Sequence, residues 1–278
     1  MSVEVVREAL REDTALVTLM MVNNETGAVT DIAGIARTLR AAKSKALLHT
    51  DAVQGFMKEP FSAKTLGADM ISVSGHKVHA PKGIGALYIR QGLKLPAHIL
   101  GGGQEDGLRS GTEPMPQIAA FGEAVRIAKA EMPEANKRME ALRAQCVQTL
   151  TDTVPGIVFL GGGSAHILSL SLPGYRSEVL MNYLEAKGIY VSKSSACKRG
   201  KRSHVLEAIG APDKVIDGAL RVSFSRYTTA EECVSFCEAL AAARKELYPS
   251  LELIYCTQAP PQRQELRRRV CCNGSRTI

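Results

Sequence analysis

The sequence lacks the long apolar segments and the cysteine pattern that are typical of membrane and secreted proteins. No run approaches the roughly 18 consecutive apolar residues that a transmembrane helix requires, and residues 1–17 lack the apolar centre of a signal peptide. The seven cysteines are an odd number without regular spacing, which does not indicate a disulfide framework. We therefore expect a cytoplasmic protein without a membrane partner.

The sequence also lacks the patterns that are typical of nucleic-acid, dinucleotide and metal binding. The net charge of +7 comes from basic residues that are spread along the chain except near the C-terminus, which favours a solvated surface over direct nucleic-acid binding. The glycine runs at 101–107 and 159–167 contain no G-x-G-x-x-G between a strand and a helix, so we interpret them as turns rather than as a dinucleotide site. Cys233 and Cys237 have no second ligand pair, so no metal site is expected.

The sequence does contain alternating helix and strand patterns. Its 278 residues, 45% of them hydrophobic, suffice for one large domain or two modest ones. Helices are predicted at 3–10, 31–42, 116–153 with a break at Pro133, 177–187 and 229–247. Strands are predicted at 15–22, 46–50, 70–74, 85–90, 166–171 and 218–224. This order predicts an α/β fold with a mainly parallel sheet covered by helices on both faces, followed by a smaller C-terminal α/β domain.

Polar residues follow three consecutive predicted strands. Asn23-Asn24-Glu25 follows the first strand, Asp51 follows the second, and His76-Lys77 follows the third. Open α/β sheets bind ligands beyond the carboxyl ends of their strands. We therefore expect these side chains to meet at one edge of the sheet.

A lysine and a carboxylate at neighbouring strand ends have two interpretations. They could form a structural ion pair. Alternatively, Lys77 could hold an aldehyde cofactor as a Schiff base while Asp51 faces the cofactor's ring nitrogen, as pyridoxal phosphate requires. Lys82 competes with Lys77 for the Schiff-base role, but it follows a proline and lies further from the strand end. Ser74 and His76 could hydrogen-bond the cofactor's phosphate or ring.

Six segments carry a specific resemblance to a known family. They are MMVNNETGAVTDI, LLHTDAVQGF, SVSGHKVHAPKGIGALYIR, GGGQEDGLRSGTEP, SKSSACKRGKRSHVLEAIG and LRVSFSRYTTAEE, in that order. Over about residues 13 to 245 the chain resembles the cysteine desulfurases of the NifS and IscS type, which are fold-type I pyridoxal-phosphate enzymes related to class V aminotransferases. The resemblance implies that residues 1–125 are the C-terminal portion of the cofactor-binding large domain and 126–248 the small domain. The mixture of Pro, Gln, Arg and paired Cys in residues 249–278 predicts a disordered or loosely attached tail.

The resemblance also implies a role for each matching residue. Lys77 would be the Schiff-base lysine and Asp51 the partner of the pyridine nitrogen. Asn24 and Gln54 would contact the ring hydroxyl oxygen and its surroundings. Ser74 and His76 would hold the phosphate, Thr112 would reach the phosphate of the other subunit in a homodimer, and Arg221 would bind the substrate carboxylate. A guanidinium suits a carboxylate because it offers two parallel donors, although a surface ion pair is the alternative for Arg221.

Cys197 is the residue that selects desulfuration among the reactions of this cofactor. It lies among small and basic residues in KSSACKRGKRS, so we expect an accessible thiol whose thiolate is favoured by neighbouring positive charge. The resemblance implies that Cys197 takes sulfur from L-cysteine as a persulfide, leaves L-alanine, and passes the sulfur to an iron-sulfur cluster scaffold or a tRNA thiolation protein. Cys146, Cys233 and Cys237 fall on predicted helices and are interpreted as packing residues.

The chain departs from the family at its N-terminus. Family members begin with roughly a hundred further residues, which carry a Gly-Thr-rich phosphate-binding turn and a histidine that stacks on the cofactor ring, and residues 1–19 supply neither. Two alternatives to a desulfurase therefore stay open. One is a non-catalytic remnant that dimerises or binds a partner, and the other is a different reaction of the same cofactor, such as selenocysteine lysis.

Overall fold

The computed structural model describes residues 1–193 and 202–249. They form two compact units. The first unit is Met1–Arg138 with Gly162–His166, and the second is Met139–Gly161 with the described residues from Ile167 onward. The predicted domain limits, 1–125 and 126–248, stay a prediction, and all of the predicted tail after residue 249 lies outside the described residues.

The first unit contains a four-stranded sheet. Its elements are α1 (Val3–Ala9), β1 (Leu16–Met20), α2 (Ile32–Ala41), β2 (Leu47–Asp51), α3 (Ala63–Leu66), β3 (Met70–Ser74) and β4 (Gly85–Ile89). Strands β1, β2 and β3 are parallel neighbours, and β4 pairs antiparallel with β3 at the end of the order β1-β2-β3-β4. The predicted α/β fold with a mainly parallel sheet is confirmed. The unit also contains two short 3₁₀ turns, Gly75–Val78 and Glu105–Gly107.

Helix α2 illustrates how the sequence determines its own ends and its buried face. The Asp31 carboxylate accepts a hydrogen bond from the Gly34 amide at 2.7 Å, which satisfies one of the free N–H groups of the first turn. The buried side chains are spaced three and four residues apart, which places them on one face; they are Ile32, Ile35, Ala36 and Leu39. This helix was predicted to within one residue at each end.

The two faces of strand β2 have different roles. Leu48 and Thr50 are buried on one face. His49 lies on the other face, where its Nδ1 is 2.7 Å from the Thr18 hydroxyl of β1 and its Nε2 is 2.9 Å from the Ser72 hydroxyl of β3. His49 is therefore a hydrogen-bonded structural residue. Because side chains alternate along a strand, Asp51 lies on the same face as His49, at the end of the strand.

A single helix, α4 (Met115–Thr153), continues through Pro133. The predicted break at this proline is therefore wrong. Proline removes one backbone hydrogen bond and crowds the preceding turn. Pro133 is exposed, so water can satisfy the carbonyl oxygen that loses its partner, and the remaining turns of this 39-residue helix are unaffected.

The second unit contains an antiparallel sheet. After the C-terminal part of α4, its elements are β5 (Val158–Leu160), β6 (Ile167–Ser171), α5 (Ser177–Glu185), β7 (Ser192–Lys193), α6 (His204–Ala208), α7 (Asp213–Asp217), β8 (Ala219–Ser223) and α8 (Ala230–Glu246). The strand order is β5-β6-β8-β7, and every pairing is antiparallel. The alternation of helices and strands does not determine whether the strands of this unit are parallel or antiparallel, because a helix can return the chain to either end of a sheet. The sequence patterns missed β5 and β7, which have three and two residues.

Replacing Leu220 with alanine should destabilise the second unit. Leu220 is fully buried on β8 and is paired in register with Leu170 of β6, which is also fully buried. Removing its side chain leaves a cavity, so the free energy of unfolding should fall by about 2–5 kcal/mol. Urea unfolding followed by circular dichroism measures this change. The control is Val234→Ala on α8, where the side chain is 43% exposed and the change should stay within about 0.5 kcal/mol. Equal effects of the two substitutions would contradict the assigned core.

The described part of the chain contains no helix that is both long and apolar enough to span a bilayer. Within the same residues there is no cluster of three or more histidine, cysteine or acidic side chains suited to a metal ion.

Candidate functional site at the carboxyl edge of the sheet

The structure brings the ends of three parallel strands together in the first unit. Met20 of β1 is in register with Asp51 of β2, and Asp51 is in register with Ser72 of β3. Asp51 is the last residue of β2, and Ser74 is the last residue of β3. Parallel strands end at the same edge of a sheet, so the polar residues that follow them share that edge.

The turn after β2 determines where Asp51 and Gln54 lie. The half-buried Asp51 carboxylate accepts a hydrogen bond from the Val53 amide at 2.9 Å. The amides of Gly55 and Phe56 both donate to the carbonyl of Ala52, at 2.9 and 2.7 Å, which closes a tight turn. Asp51 therefore stays at the strand end, and Gln54 lies in the tight turn that follows it.

The 3₁₀ turn after β3 carries the candidate lysine. Gly75 is buried and its amide donates to the Ile84 carbonyl at 2.9 Å. A Cβ at position 75 would lie 2.8 Å from the Ile84 side chain, so this close approach requires glycine. Val78 is buried at the other end of the turn. Lys77, between these two anchored residues, is half-buried immediately after the strand.

Ser74 and His76 contact each other beside this turn. The Ser74 hydroxyl lies 2.8 Å from His76 Nδ1. His76 is exposed, and Ser74 is half-buried. A hydroxyl and an imidazole placed together at the exposed end of a strand are suitable donors for an anionic group such as a phosphate.

Sequence reasoning missed Lys58, which contacts the candidate lysine. Its ammonium donates a hydrogen bond to the Lys77 carbonyl oxygen at 3.0 Å. Burial, and secondarily the charge of Lys77, lowers the pKa of Lys58 to about 8. A single lysine after the apolar turn residues of AVQGFM was too weak a signal to identify it from the sequence.

A second missed group is a hydrogen-bonded chain that ends on Gln54. His166 Nε2 lies 3.3 Å from Gln54 Oε1, and His166 Nδ1 lies 2.6 Å from the Ser164 hydroxyl. The Ser164 hydroxyl donates to the Glu59 carboxylate at 2.8 Å. His166 and Ser164 are buried. They are more than a hundred residues from Gln54 in the chain, so no local pattern could have connected them.

The structure also describes three other predicted site residues. Asn24 is half-buried in the turn after β1, and the neighbouring Asn23 side chain stabilises that turn by accepting hydrogen bonds from the amides of Glu25 and Thr26, each at 2.9 Å. Thr112 lies in an exposed loop before α4. Arg221 is half-buried on β8 of the second unit, in register with Ser169 and Ser192. Cys197 lies outside the described residues.

The predicted packing role of three cysteines is confirmed. Cys146 of α4 and Cys233 and Cys237 of α8 are free and buried. Hydrogen bonding with Cys237, and then burial, raises the pKa of Cys146. Burial also raises the pKa of Cys233. Because a raised pKa disfavours the thiolate, Cys146 and Cys233 are poor nucleophiles at neutral pH.

The side chains at the sheet edge fit pyridoxal phosphate chemically. Lys77 supplies a primary amine, Asp51 a half-buried carboxylate for a protonated ring nitrogen, and Ser74 with His76 a pair of phosphate donors. All of these residues lie in the first unit. The fold and the side chains together define an α/β protein whose sheet edge suits such a cofactor.

Comparisons with known proteins identify the family. The sequence model of the aminotransferase class-V family matches residues 1–236. Cysteine desulfurase 2 of Trichormus variabilis is 42% identical over 229 residues, which are 81% of this chain and 57% of that protein. Cysteine desulfurase IscS of Tolumonas auensis is 43% identical over 235 residues, covering 82% of this chain and 57% of that protein. The chain therefore belongs to the aminotransferase class V family. The cysteine desulfurases and NifS-like proteins of this family depend on pyridoxal phosphate.

Solved structures agree with this family. A NifS-like protein is 37% identical, with a TM-score of 0.82, over 89% of this chain and 66% of its own. A NifS-like protein from Rickettsia africae is 27% identical, with a TM-score of 0.78, over 87% of this chain and 65% of its own. The chain spans about 57% of the length of the curated relatives named above.

Proposed function

We propose that this chain carries the lysine, the ring-nitrogen carboxylate and the sulfur-accepting cysteine of a pyridoxal-phosphate-dependent L-cysteine desulfurase. The observation that supports it most is the position of Asp51 at the end of β2 and of Lys77 in the turn after the adjacent parallel strand β3, in a chain that matches the family over residues 1–236. The cofactor, when bound, supplies an electron sink that stabilises negative charge at the substrate Cα.

Each residue then has one task. Lys77 attaches the cofactor through its amine and afterwards moves the Cα proton of the substrate. Asp51 favours the protonated ring nitrogen, and Ser74 and His76 hold the phosphate. Asn24 and Gln54 contact the ring oxygen region, and Thr112 reaches the phosphate of a second subunit in a homodimer. These roles rest on the family match and on the side-chain chemistry described above.

Two residues act on the substrate. Arg221 binds the carboxylate of L-cysteine through its guanidinium. The Cys197 thiolate attacks the substrate sulfur, so the S–S bond of a persulfide forms as the C–S bond breaks, and the former substrate Cα–Cβ unit gains protons to leave as L-alanine. An iron-sulfur scaffold or a tRNA thiolation protein in the cytoplasm is the proposed sulfur acceptor. The overall reaction is balanced, because L-cysteine and the Cys197 thiol give L-alanine and the Cys197 persulfide.

Borohydride trapping tests this function. The purified chain is incubated with pyridoxal phosphate, reduced and digested, and mass spectrometry locates the modified lysine. The expected adduct is on Lys77, with persulfide formation when L-cysteine is added. A parallel reaction with L-selenocysteine in place of L-cysteine distinguishes a selenocysteine lyase from a cysteine desulfurase. Lysine modification without preference for Lys77 would contradict the proposal.

A non-catalytic chain that dimerises or binds a partner is the second candidate function. It is favoured by exposed apolar side chains on the two outer strands of the first sheet: Leu16 and Met20 on β1, and Leu87 and Tyr88 on β4. Sedimentation analysis that showed a stable assembly, together with no Lys77 adduct, would support this candidate over the desulfurase.

A further inference from the structure

Lys58 is held in one position by contacts of its own backbone. Its amide donates to the Gly55 carbonyl at 3.0 Å, and its carbonyl accepts a hydrogen bond from the Asn136 side chain. The next amide, of Glu59, also donates to Gly55 at 2.8 Å. The Lys58 side chain therefore leaves a fixed turn, and its ammonium reaches the Lys77 carbonyl at 3.0 Å.

The charges of Lys58 and Lys77 repel each other. Burial is the larger cause of the lowered pKa of Lys58, about 8, and the charge of Lys77 is the next, while Glu59 acts in the opposite direction. Repulsion between two ammonium groups is mutual, so the charge of Lys58 disfavours the protonated form of Lys77 in the same way. A neighbouring cation is one of the known means by which a protein activates a Schiff-base lysine.

We propose that Lys58 is a positioning residue for Lys77: it holds the Lys77 main chain by a hydrogen bond, and its positive charge favours the uncharged, nucleophilic form of the Lys77 amine. This role rests on the proposed function of Lys77. The uncharged amine attacks the aldehyde carbon of the cofactor, and water leaves as the C=N bond forms. A lysine that kept its proton could not begin this attack.

The effect of Lys58 should depend on pH. Below about pH 8 Lys58 is largely charged, so it assists Lys77 fully. As the pH rises through this value Lys58 loses its proton, and its influence on Lys77 disappears. The charged groups that act on Lys58 are Lys77 and Glu59.

Competitive acetylation with mass spectrometry can measure the reactivity of each lysine in the full chain. It does not require the cofactor. The reaction is followed from about pH 6 to about pH 11, a range that includes the ordinary lysine pKa. With Lys58→Met, the reactivity of Lys77 below about pH 8 should fall, by about tenfold if the charge of Lys58 shifts the protonation equilibrium of Lys77 by about one unit, and above that pH the two chains should converge. Lys58→Arg keeps a positive charge and should retain the reactivity of the unmodified chain.

The matched control is Lys64→Met, which removes an exposed lysine from α3 and should leave the reactivity of Lys77 unchanged over the whole pH range. Circular dichroism checks that each variant is folded, and Lys58→Gln replaces the methionine variant if that variant is unfolded. Unchanged Lys77 reactivity below about pH 8 in the folded neutral variant would overturn the role of Lys58, even if pyridoxal phosphate is trapped on Lys77. A reactivity of Lys77 that falls below about pH 8 supports the role of Lys58, and a trapping experiment without a Lys77 adduct would then contradict the proposed function alone.

Discussion

Replacing Lys77 with alanine is expected to remove the borohydride-stable adduct with pyridoxal phosphate and to reduce sulfur release from L-cysteine to background. Alanine has no amine to attach the cofactor, and it has no group to move the substrate Cα proton. Mass spectrometry after reduction measures the adduct, and sulfide detection measures the reaction. The expected loss is large because one residue performs both steps.

Lys82→Ala is the matched control for Lys77. Lys82 is exposed and lies between Pro81 and Gly83, a glycine with a φ of 85° in the turn that leads to β4. Lys77 instead lies in the 3₁₀ turn that follows β3 directly. The adduct should therefore survive in Lys82→Ala. An adduct that persists in Lys77→Ala and disappears in Lys82→Ala would assign the Schiff base to Lys82.

Replacing Cys197 with serine is expected to abolish persulfide formation and leave the Lys77 adduct intact. Serine is close to cysteine in size, but its hydroxyl is not ionised at neutral pH and cannot accept sulfur as a persulfide. A thiolate is the nucleophilic form of cysteine, and basic neighbours favour it. Persulfide labelling and sulfide release from L-cysteine measure the loss, while the borohydride adduct reports cofactor binding.

Cys271→Ser provides a control thiol, because Cys271 also follows basic residues in RRRVCC. This variant should form the Cys197 persulfide at the normal level. The buried Cys146 is a weak competitor, since Cys237 and burial raise its pKa. Persulfide formation that continued in Cys197→Ser would show that another cysteine accepts the sulfur.

Helices and strands with a strong local pattern could be predicted from the sequence. Strand β3 was predicted with the observed ends, and α2 has both a capping aspartate and a regular apolar face. The break at Pro133 was wrong, because the cost of one proline is local whereas the rest of helix α4 is favourable. The short strands β5 and β7 were missed because two or three residues do not establish an alternating pattern.

The candidate site was predictable where a residue directly adjoins a strand. Asp51, Ser74, His76 and Lys77 are at or just beyond strand ends, so the parallel order of three strands was sufficient to group them. The roles assigned to these residues stay predictions, as do those of Asn24, Gln54, Thr112, Arg221 and Cys197. Lys58 and His166 could not be found in this way, because their contacts depend on where the chain returns after leaving the sheet.

The sequence by itself determined the alternation of elements and the strand-end position of the candidate lysine and carboxylate. These features depend on periodicity and on residues close together in the chain. Only the tertiary structure decided that Lys58 donates to the Lys77 carbonyl and that His166 connects Gln54 to Ser164 and Glu59. Hydrogen bonds and charge repulsion act through space, so pairs separated by 19 or 112 residues become partners only after the chain has folded.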